Sequence, residues 1–129
     1  MKLMRLAILG IVLAGLFTYR VSLSNDFVDW DDGYLILTNE DIRSISPQTI
    51  GSIFTRYDPE LYVPLTFFSY QIDYAIDGYN PYIFHLTNLG LHIANAILVG
   101  LFVHLLICGF GSKKISKSAN QQISIITAF

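Results

Sequence analysis

The stretch YIFHLTNLGLHIANAILVGLFVHLLIC, residues 82–108, decides the fold of this 129-residue chain. It lies within a run that carries no charged residue between Asp77 and Lys113. At about 1.5 Å of rise per residue, a helix of this length can cross a bilayer with some tilt. Pro81 suits a first helical turn and Gly109 suits a helix end, so the sequence predicts a membrane helix over residues 82–108.

A second apolar stretch, residues 3–23, lies near the N-terminus and is predicted to be the other membrane helix. The apolar part that ends at Tyr19 also has the length of a signal-peptide core, and Ser22 and Ser24 offer small residues for cleavage. Tyr19 and Arg20 stand where signal peptides prefer small neutral residues, which favours an uncleaved anchor. The alternative is a secreted acidic binding protein released after Ser24.

All ten acidic residues lie between these two stretches, from Asp26 to Asp77. Only two cations, Arg43 and Arg56, lie in that window, so its net charge is −8. Charged groups are costly in the hydrocarbon core, and Lys and Arg prefer cytoplasmic flanks. We therefore expect an integral membrane protein with the N-terminus cytoplasmic and residues 24–81 external. The expected membrane is a prokaryotic plasma (inner) membrane.

The composition also indicates a membrane protein. Hydrophobic residues make up 53% of the chain and charged residues 14%, against about 25% charged residues in soluble domains. The single cysteine, Cys108, excludes a disulfide framework and a CxxC metal site within this chain. Residues 109–122 are predicted to form a cytoplasmic loop. Residues 123–129 are apolar but too few to span, so we expect the start of a truncated third membrane helix and an N-terminal fragment of a longer protein.

The external loop, residues 24–81, is long enough to carry structure of its own. Ser46 and Pro47 are typical of an N-cap and a first helical residue, which predicts a short helix over residues 47–54. Pro64 opens a second predicted helix over residues 64–77. The fold class is thus all-α and membrane-integral: two transmembrane helices and the start of a third, with two amphipathic helices in the external loop.

The second loop helix has an apolar face that includes Leu65 and Ile72, opposite a polar face that includes Asp73. A helix of this kind beside membrane spans is expected to lie flat on the lipid interface. A small soluble cap is the alternative. Residues 34–38 are β-prone and are predicted to be a short extended segment after an Asp-Asp-Gly turn.

The segment FVDWDDGY, residues 27–34, has the highest density of reactive side chains. Asp29, Asp31 and Asp32 lie within four residues around Trp30. Adjacent carboxylates raise one another's pKa, which prepares one of them as a general base. They can also bind a hard divalent cation, so a cation at Asp31 and Asp32 is a candidate cofactor. Asp-Asp-Gly is equally typical of a solvated turn, and both interpretations stay open.

A second polar group lies in the predicted helix over residues 82–108. Because a helix turns about 100° per residue, its members fall within a stripe of about 80°. Polar side chains in a membrane helix generally face a bundle interior or a wet cavity, although they also serve as packing contacts between helices. The spacing is poor for a metal site. The stripe consists of His85, Asn88, His92 and Asn95.

Three ordered blocks resemble a known family. They are FVDWDDGY followed by Thr38-Asn39, then YVPLT at residues 62–66, and then Asn80-Pro81 with His85, Asn88 and His92. The chain resembles the N-terminal part of the transmembrane and tetratricopeptide-repeat O-mannosyltransferases and their bacterial relatives. These are C-type glycosyltransferases, which use a polyprenyl-phosphate sugar and carry two helices along the membrane in the first external loop.

The resemblance implies an inverting transfer of a sugar to an acceptor hydroxyl, with Asp31 or Asp32 as the base. It implies a lipid-linked sugar donor, a protein or glycan acceptor and membrane lipids as partners, and no nucleic acid. Positive charge near the leaving phosphate would come from Arg56 or Arg43 and from loops beyond these residues. We expect the fragment alone to be inactive. The candidate substrate-binding residues are Trp30, Asn39, Arg56, His85, Asn88 and His92.

A different class of function stays open from the residues alone. The chain could be a small non-catalytic membrane subunit that presents its acidic loop to a partner or a cation. The fragment interpretation predicts further spans in the genomic sequence downstream of Phe129, and the subunit interpretation does not.

Overall fold

The computed structural model describes residues 2–57 and 61–110, which contain helices and connecting turns and no β-strand. Two of the helices are long and apolar enough to cross a membrane, as the sequence predicts. The predicted helix start at 123–129, and residues 111–122 of the predicted cytoplasmic loop, lie outside the described residues. The four α-helices are α1 (Lys2–Tyr19), α2 (Pro47–Thr55), α3 (Pro64–Asp77) and α4 (Pro81–Phe110).

Three short helical segments complete the described chain. A 3₁₀ turn over Arg20–Ser24 continues α1, and a second lies at Glu40–Ile42. A π-helical turn over Gly33–Leu37 follows the acidic segment. The chain divides into two compact units, a span unit (Met1–Arg20 and Asn88–Phe129) and a loop unit (Val21–Thr87).

In the span unit, α1 and α4 approach closely at one glycine. A Cβ atom added at Gly15 would lie 2.8 Å from Cγ1 of Ile93, which is below van der Waals contact. Small residues allow membrane helices to approach in this way. The candidate spans are Lys2–Ser24 and Pro81–Cys108, and only 11% and 6% of their most apolar windows are buried. A soluble core helix would be mostly buried, so these exposed apolar surfaces fit lipid.

The loop unit has a small apolar core of its own. Side chains from the π-helical turn, the second 3₁₀ turn, α2, α3 and the first turn of α4 meet there. The aromatic rings of Phe27 and Phe84 pack edge to face, with centroids 5.3 Å apart. The fully or nearly fully buried members are Ile36, Ile42, Ile53, Phe67 and Phe84.

Local sequence signals explain the bounds of the two loop helices. The Ser46 hydroxyl accepts a hydrogen bond from the Thr49 amide, and the Thr49 hydroxyl accepts one from the Ser46 amide, so α2 begins with a capping box. Pro64 occupies the first turn of α3. Gly78, at a φ of +58°, ends that helix in a conformation that favours glycine.

The extended segment predicted for residues 34–38 is wrong. The chain is helical from Asp31 to Leu37, and the Thr38 amide donates to the Gly33 carbonyl at 3.1 Å. Ile36 is buried in the core of the loop unit. The β-propensity of this segment is a weak preference, and core packing overrides it.

Candidate functional site

The acidic segment is ordered by one of its own carboxylates. Oδ2 of Asp32 accepts a hydrogen bond from the Val28 amide at 2.9 Å, which closes the turn that precedes the helical residues 31–37. Asp31 is exposed and Asp32 is half-buried. The two carboxylates thus differ in role: one is fixed to the backbone, and the other faces solvent. The Asp-Asp-Gly segment thus opens a helical turn, in which Asp31 is exposed to solvent.

A tyrosine from α3 lies in the field of these carboxylates. Burial raises the pKa of Tyr70 above its usual value, and the negative charges of Asp32, Asp73 and Asp31 raise it further. The ring is held by Phe84, with centroids 5.6 Å apart. Tyr70 is therefore a neutral phenol at physiological pH, next to the candidate bases.

Asp73 is buried, contrary to the prediction that it lies on a solvated face of α3. Its side chain is 1% exposed, and its Oδ1 accepts a hydrogen bond from the Thr87 hydroxyl at 2.5 Å. Burial raises the pKa of Asp73, and the hydrogen bond from Thr87 opposes that shift. The apolar stripe of the same helix is outermost, because Leu65 and Ile76 are 73% and 63% exposed.

A second buried polar residue of α3 ties this helix to the 3₁₀ turn at Glu40–Ile42. Gln71 is fully buried, and its Nε2 donates to the Asp41 carbonyl at 2.8 Å. Its Oε1 has no hydrogen-bond partner among the described residues. The buried side of α3 is therefore polar at two positions, where the sequence pattern had predicted exposure for Asp73 and assigned no role to Gln71.

A cavity of about 420 Å³ lies within the loop unit, on the side of the second 3₁₀ turn and α2. Asp41 lines this cavity. Its Oδ2 accepts hydrogen bonds from Ser52 Oγ at 2.7 Å and from Arg56 Nη1 at 3.2 Å. Arg56 and Asn39, both predicted to bind substrate, line this cavity, whereas Asp31 and Asp32 do not. Its other principal walls are the aromatic side chains of Tyr34, Tyr57 and Phe67.

Two of the predicted substrate-binding residues are occupied by structural hydrogen bonds. The Asn39 side chain accepts from the Asp41 amide at 3.0 Å and donates to the Leu35 carbonyl at 3.2 Å, so it caps the second 3₁₀ turn. Nε2 of His85 lies 3.1 Å from the Asn25 carbonyl oxygen, within the loop unit. Trp30 differs from both, because it is 86% exposed.

The predicted polar stripe is divided between the two units. In the span unit, His92 packs edge to face on Tyr19, with ring centroids 4.9 Å apart. Both rings line a cavity of about 240 Å³ between α1 and α4. Asn88 and Asn95 are exposed on α4. His85 belongs to the loop unit and makes the backbone contact described above.

No group of three or more His, Cys, Asp or Glu side chains in the described chain could hold a metal ion. Asp31 and Asp32 therefore lack a third protein ligand of these types in residues 2–57 and 61–110.

The sequence pattern missed Tyr70, Asp73 and Thr87. Asp73 reads as one polar position among others on an amphipathic helix, and its contact with Thr87 joins residues 14 positions apart. The PLTFFSYQIDY block gives no local signal for this contact, because Thr87 lies on the following helix.

The comparisons with known proteins point to one family. The chain is 36% identical over 96 residues to the mouse and human protein O-mannosyl-transferase TMTC2, which covers 68% of this chain and 11% of each relative. It is 33% identical over 106 residues to the Xenopus laevis protein of the same name, which covers 76% of this chain and 12% of that relative. The chain resembles the TMTC O-mannosyltransferases. That resemblance, stated above from the sequence blocks, is confirmed.

The match to the TMTC proteins covers only a small part of each relative. The chain spans about one-ninth of the length of these relatives. No family model matches the sequence, and no solved structure matches it. The two apolar helices and the TMTC resemblance indicate a membrane protein. The relatives are vertebrate proteins, so they give no support to the expected prokaryotic membrane.

Proposed function

We propose that the chain is part of a membrane glycosyltransferase of the O-mannosyltransferase type. The full-length protein would transfer a sugar from a polyprenyl-phosphate donor to the hydroxyl of a protein or glycan acceptor. The observation that carries this proposal is the 36% identity over 96 residues to protein O-mannosyl-transferase TMTC2. The two apolar helices support it, because a lipid-linked donor must be met at a membrane.

The proposed reaction needs a base for the acceptor hydroxyl. As the hydroxyl oxygen forms its bond to the anomeric carbon, the bond from that carbon to the phosphate oxygen breaks. The proton passes to a carboxylate, and polyprenyl phosphate leaves. This displacement inverts the anomeric centre. We assign the carboxylate to Asp31, which is exposed, and secondarily to Asp32, whose Oδ2 already accepts a hydrogen bond from Val28.

The neighbouring phenol suits a supporting role in this proposal. Tyr70 keeps its proton at neutral pH, because burial and three carboxylates raise its pKa. It can therefore donate a hydrogen bond to an oxygen of the substrate or of a carboxylate without adding negative charge. Its ring is fixed by Phe84, which holds the hydroxyl in place.

The leaving phosphate needs positive charge or fixed donors, and the two candidate arginines are already engaged. Arg56 Nη1 lies 3.2 Å from Asp41 Oδ2. Arg43 Nε donates to the Tyr79 hydroxyl at 2.8 Å, and its Nη1 lies 4.0 Å from Glu40. We propose that the donors for the leaving group come from loops outside the 129 residues, with His92 and Asn88 of α4 facing a cavity in the complete protein.

We propose that residues 24–81 face outward and that α3 lies on the lipid interface. The exposed stripe of Leu65, Ile72 and Ile76 supports this placement, since it is apolar and covered by nothing in the described chain. The buried Asp73 on the other side of the helix is what an interfacial helix packed on a small domain would show.

The test is transfer by the full-length protein in liposomes. The protein is supplied with a mannose-bearing polyprenyl phosphate and a hydroxyl-bearing acceptor peptide, and the product is analysed by mass spectrometry and by NMR of the anomeric proton. We expect a glycosylated peptide with the anomeric configuration opposite to that of the donor. Retention of configuration would exclude direct displacement. An absence of transfer with an intact, folded protein would favour the non-catalytic membrane subunit.

A further inference from the structure

The cavity of the loop unit is a second candidate site, separate from the acidic segment. Its volume of about 420 Å³ lies in the range of small-molecule pockets. Neither Asp31 nor Asp32 lines it. The charges and the side chains that line this cavity indicate which kind of ligand it suits.

The charge of the walls argues against an anionic ligand. Arg56 is the cation among the described lining residues, and its Nη1 lies 3.2 Å from the carboxylate of Asp41. Glu40 is a second acid in the lining, so the charged groups among its described residues sum to −1. A phosphate would meet an arginine that is already neutralised and a further negative charge. The described walls therefore disfavour an anionic ligand, and we consider a neutral one.

The polar atoms of the cavity suit a ligand with several hydroxyl groups. Both hydrogen bonds to the Asp41 carboxylate reach Oδ2, and Oδ1 accepts none from the described residues. Arg56 uses one of its five N–H donors on Asp41. Acceptor and donor thus stand side by side, in the arrangement that pairs with two adjacent hydroxyls, each of which both donates and accepts.

Aromatic side chains form another part of the wall, beside Thr38 and Ile53. Tyr34, Tyr57 and Phe67 line the same cavity, and Tyr57 is 69% exposed. A pyranose ring presents a face of C–H groups, which packs on an aromatic ring while its hydroxyls point to the polar side. We propose that this cavity binds a neutral hexopyranoside, with Asp41 and Arg56 pairing its hydroxyls and Tyr57 packing on its ring. This proposal goes beyond the transfer reaction and does not require it.

The experiment measures sugar binding without any donor lipid. The full-length protein, in a detergent that has no sugar headgroup, is titrated with methyl α-D-mannopyranoside and, separately, with inorganic phosphate. Saturation-transfer NMR detects contact of the sugar with the protein, and calorimetry gives the Kd. We expect millimolar or tighter binding of the mannoside and no binding of phosphate at the same concentrations.

Three variants locate the site. Tyr57→Leu should weaken mannoside binding about tenfold, which corresponds to about 1.4 kcal/mol. Tyr82→Leu, a half-exposed tyrosine outside the lining, is the matched control and should bind as the wild type does. Asp26→Asn, at an exposed carboxylate outside the lining, should also bind normally, and because the assay contains no donor lipid, a failure of the transfer proposal leaves this result unchanged. Circular dichroism confirms that each variant is folded.

Each contrary outcome overturns the proposal. An absence of mannoside binding at tens of millimolar would do so, as would binding that Tyr57→Leu leaves unchanged in a folded protein. Phosphate binding that is lost in Arg56→Gln would show an anion site instead. Loss of mannoside binding in Asp31→Asn would show that the sugar contacts the acidic segment and not this cavity.

Discussion

The Thr87 hydroxyl donates a hydrogen bond to Oδ1 of Asp73 at 2.5 Å, between α4 and α3 within the loop unit. Asp73 is 1% exposed, so this bond satisfies a buried carboxyl group. The bond joins the last turns of α3 to the first turns of α4. Helix α4 is also one of the two candidate membrane spans. A polar contact thus joins α3 to the first turns of α4 within the loop unit.

The buried Asp73 predicts a pH dependence of stability. Because burial raises its pKa in the folded state above 3.8, the folded protein keeps this proton after the unfolded chain has lost it. The contribution of Asp73 to stability is therefore full at low pH and decreases as the pH rises from about 3.8 through the raised pKa. Asp73→Asn keeps the acceptor for Thr87 and should remove this decrease.

The measurement is thermal unfolding of the wild type and Asp73→Asn in detergent, from pH 4 to pH 7. We expect the Tm of the variant, relative to the wild type, to increase with pH across this interval. Asp26→Asn, which changes an exposed carboxylate, is the control and should show no such trend. A constant difference between Asp73→Asn and the wild type would contradict the raised pKa.

The close approach of Gly15 to Ile93 predicts that a second substitution, Ile93→Ala, reduces the cost of Gly15→Ala. In Gly15→Ala the new Cβ would lie 2.8 Å from Cγ1 of Ile93. Overpacking costs about 1–3 kcal/mol, which exceeds the gain of up to about 1 kcal/mol from the helix preference of alanine. Ile93→Ala removes Cγ1, so Gly15→Ala should cost less in that background than alone. Equal costs in both backgrounds, measured by thermal unfolding in detergent, would contradict the contact.

The charge pattern predicts the orientation in the membrane. Ten acids lie in the loop between the spans, and Lys2 and Lys113 lie beyond its two ends, so the loop should be external. In a Cys108→Ser background, a membrane-impermeant thiol reagent should label Ser44→Cys in intact cells. It should label Ser116→Cys only after the cells are opened. The reverse pattern would invert the topology.

The exposed apolar stripe of α3 predicts contact with lipid. A spin label at Ile76→Cys should be reached by oxygen, which concentrates in the bilayer, more readily than by a water-soluble nickel complex. A label at Asp77→Cys, the next residue along the helix, is the control and should show the opposite preference. Equal access of the nickel complex to both positions in liposomes would support the soluble cap.

The sequence predicts those parts of the fold that depend on neighbouring residues, namely the apolar spans and the ends of the loop helices. The two spans follow from uninterrupted apolar length, and the bounds of α2 and α3 follow from Pro47, Pro64 and Gly78. It does not predict which face of α3 is buried, because Asp73 acquires its partner from α4. It also does not predict the helical turn at residues 33–37, whose Ile36 is buried by residues from other parts of the loop unit.

In the candidate site, too, the sequence predicts some residues but not the contacts between distant parts of the chain. Asp31 and Asp32 are found from their adjacency, and the resemblance assigns them a role. The pairing of Asp41 with Arg56 joins residues 15 positions apart, so the sequence does not predict it. The sequence also does not predict that the Asn39 side chain caps a 3₁₀ turn, at a position that lines the same cavity as Arg56.

The measurement that tests the central claim most directly is sugar transfer by carboxylate variants of the full-length protein in liposomes. Asp31→Asn keeps the shape of the side chain and removes its charge, and loss of a general base should slow turnover about 10²–10⁴-fold. Asp32→Asn tests the second candidate, and Asp29→Asn, an exposed neighbour in the same segment, should transfer at a near-normal rate. If both Asp31→Asn and Asp32→Asn retain near-normal transfer while the proteins are folded and inserted, the acidic segment does not supply the base.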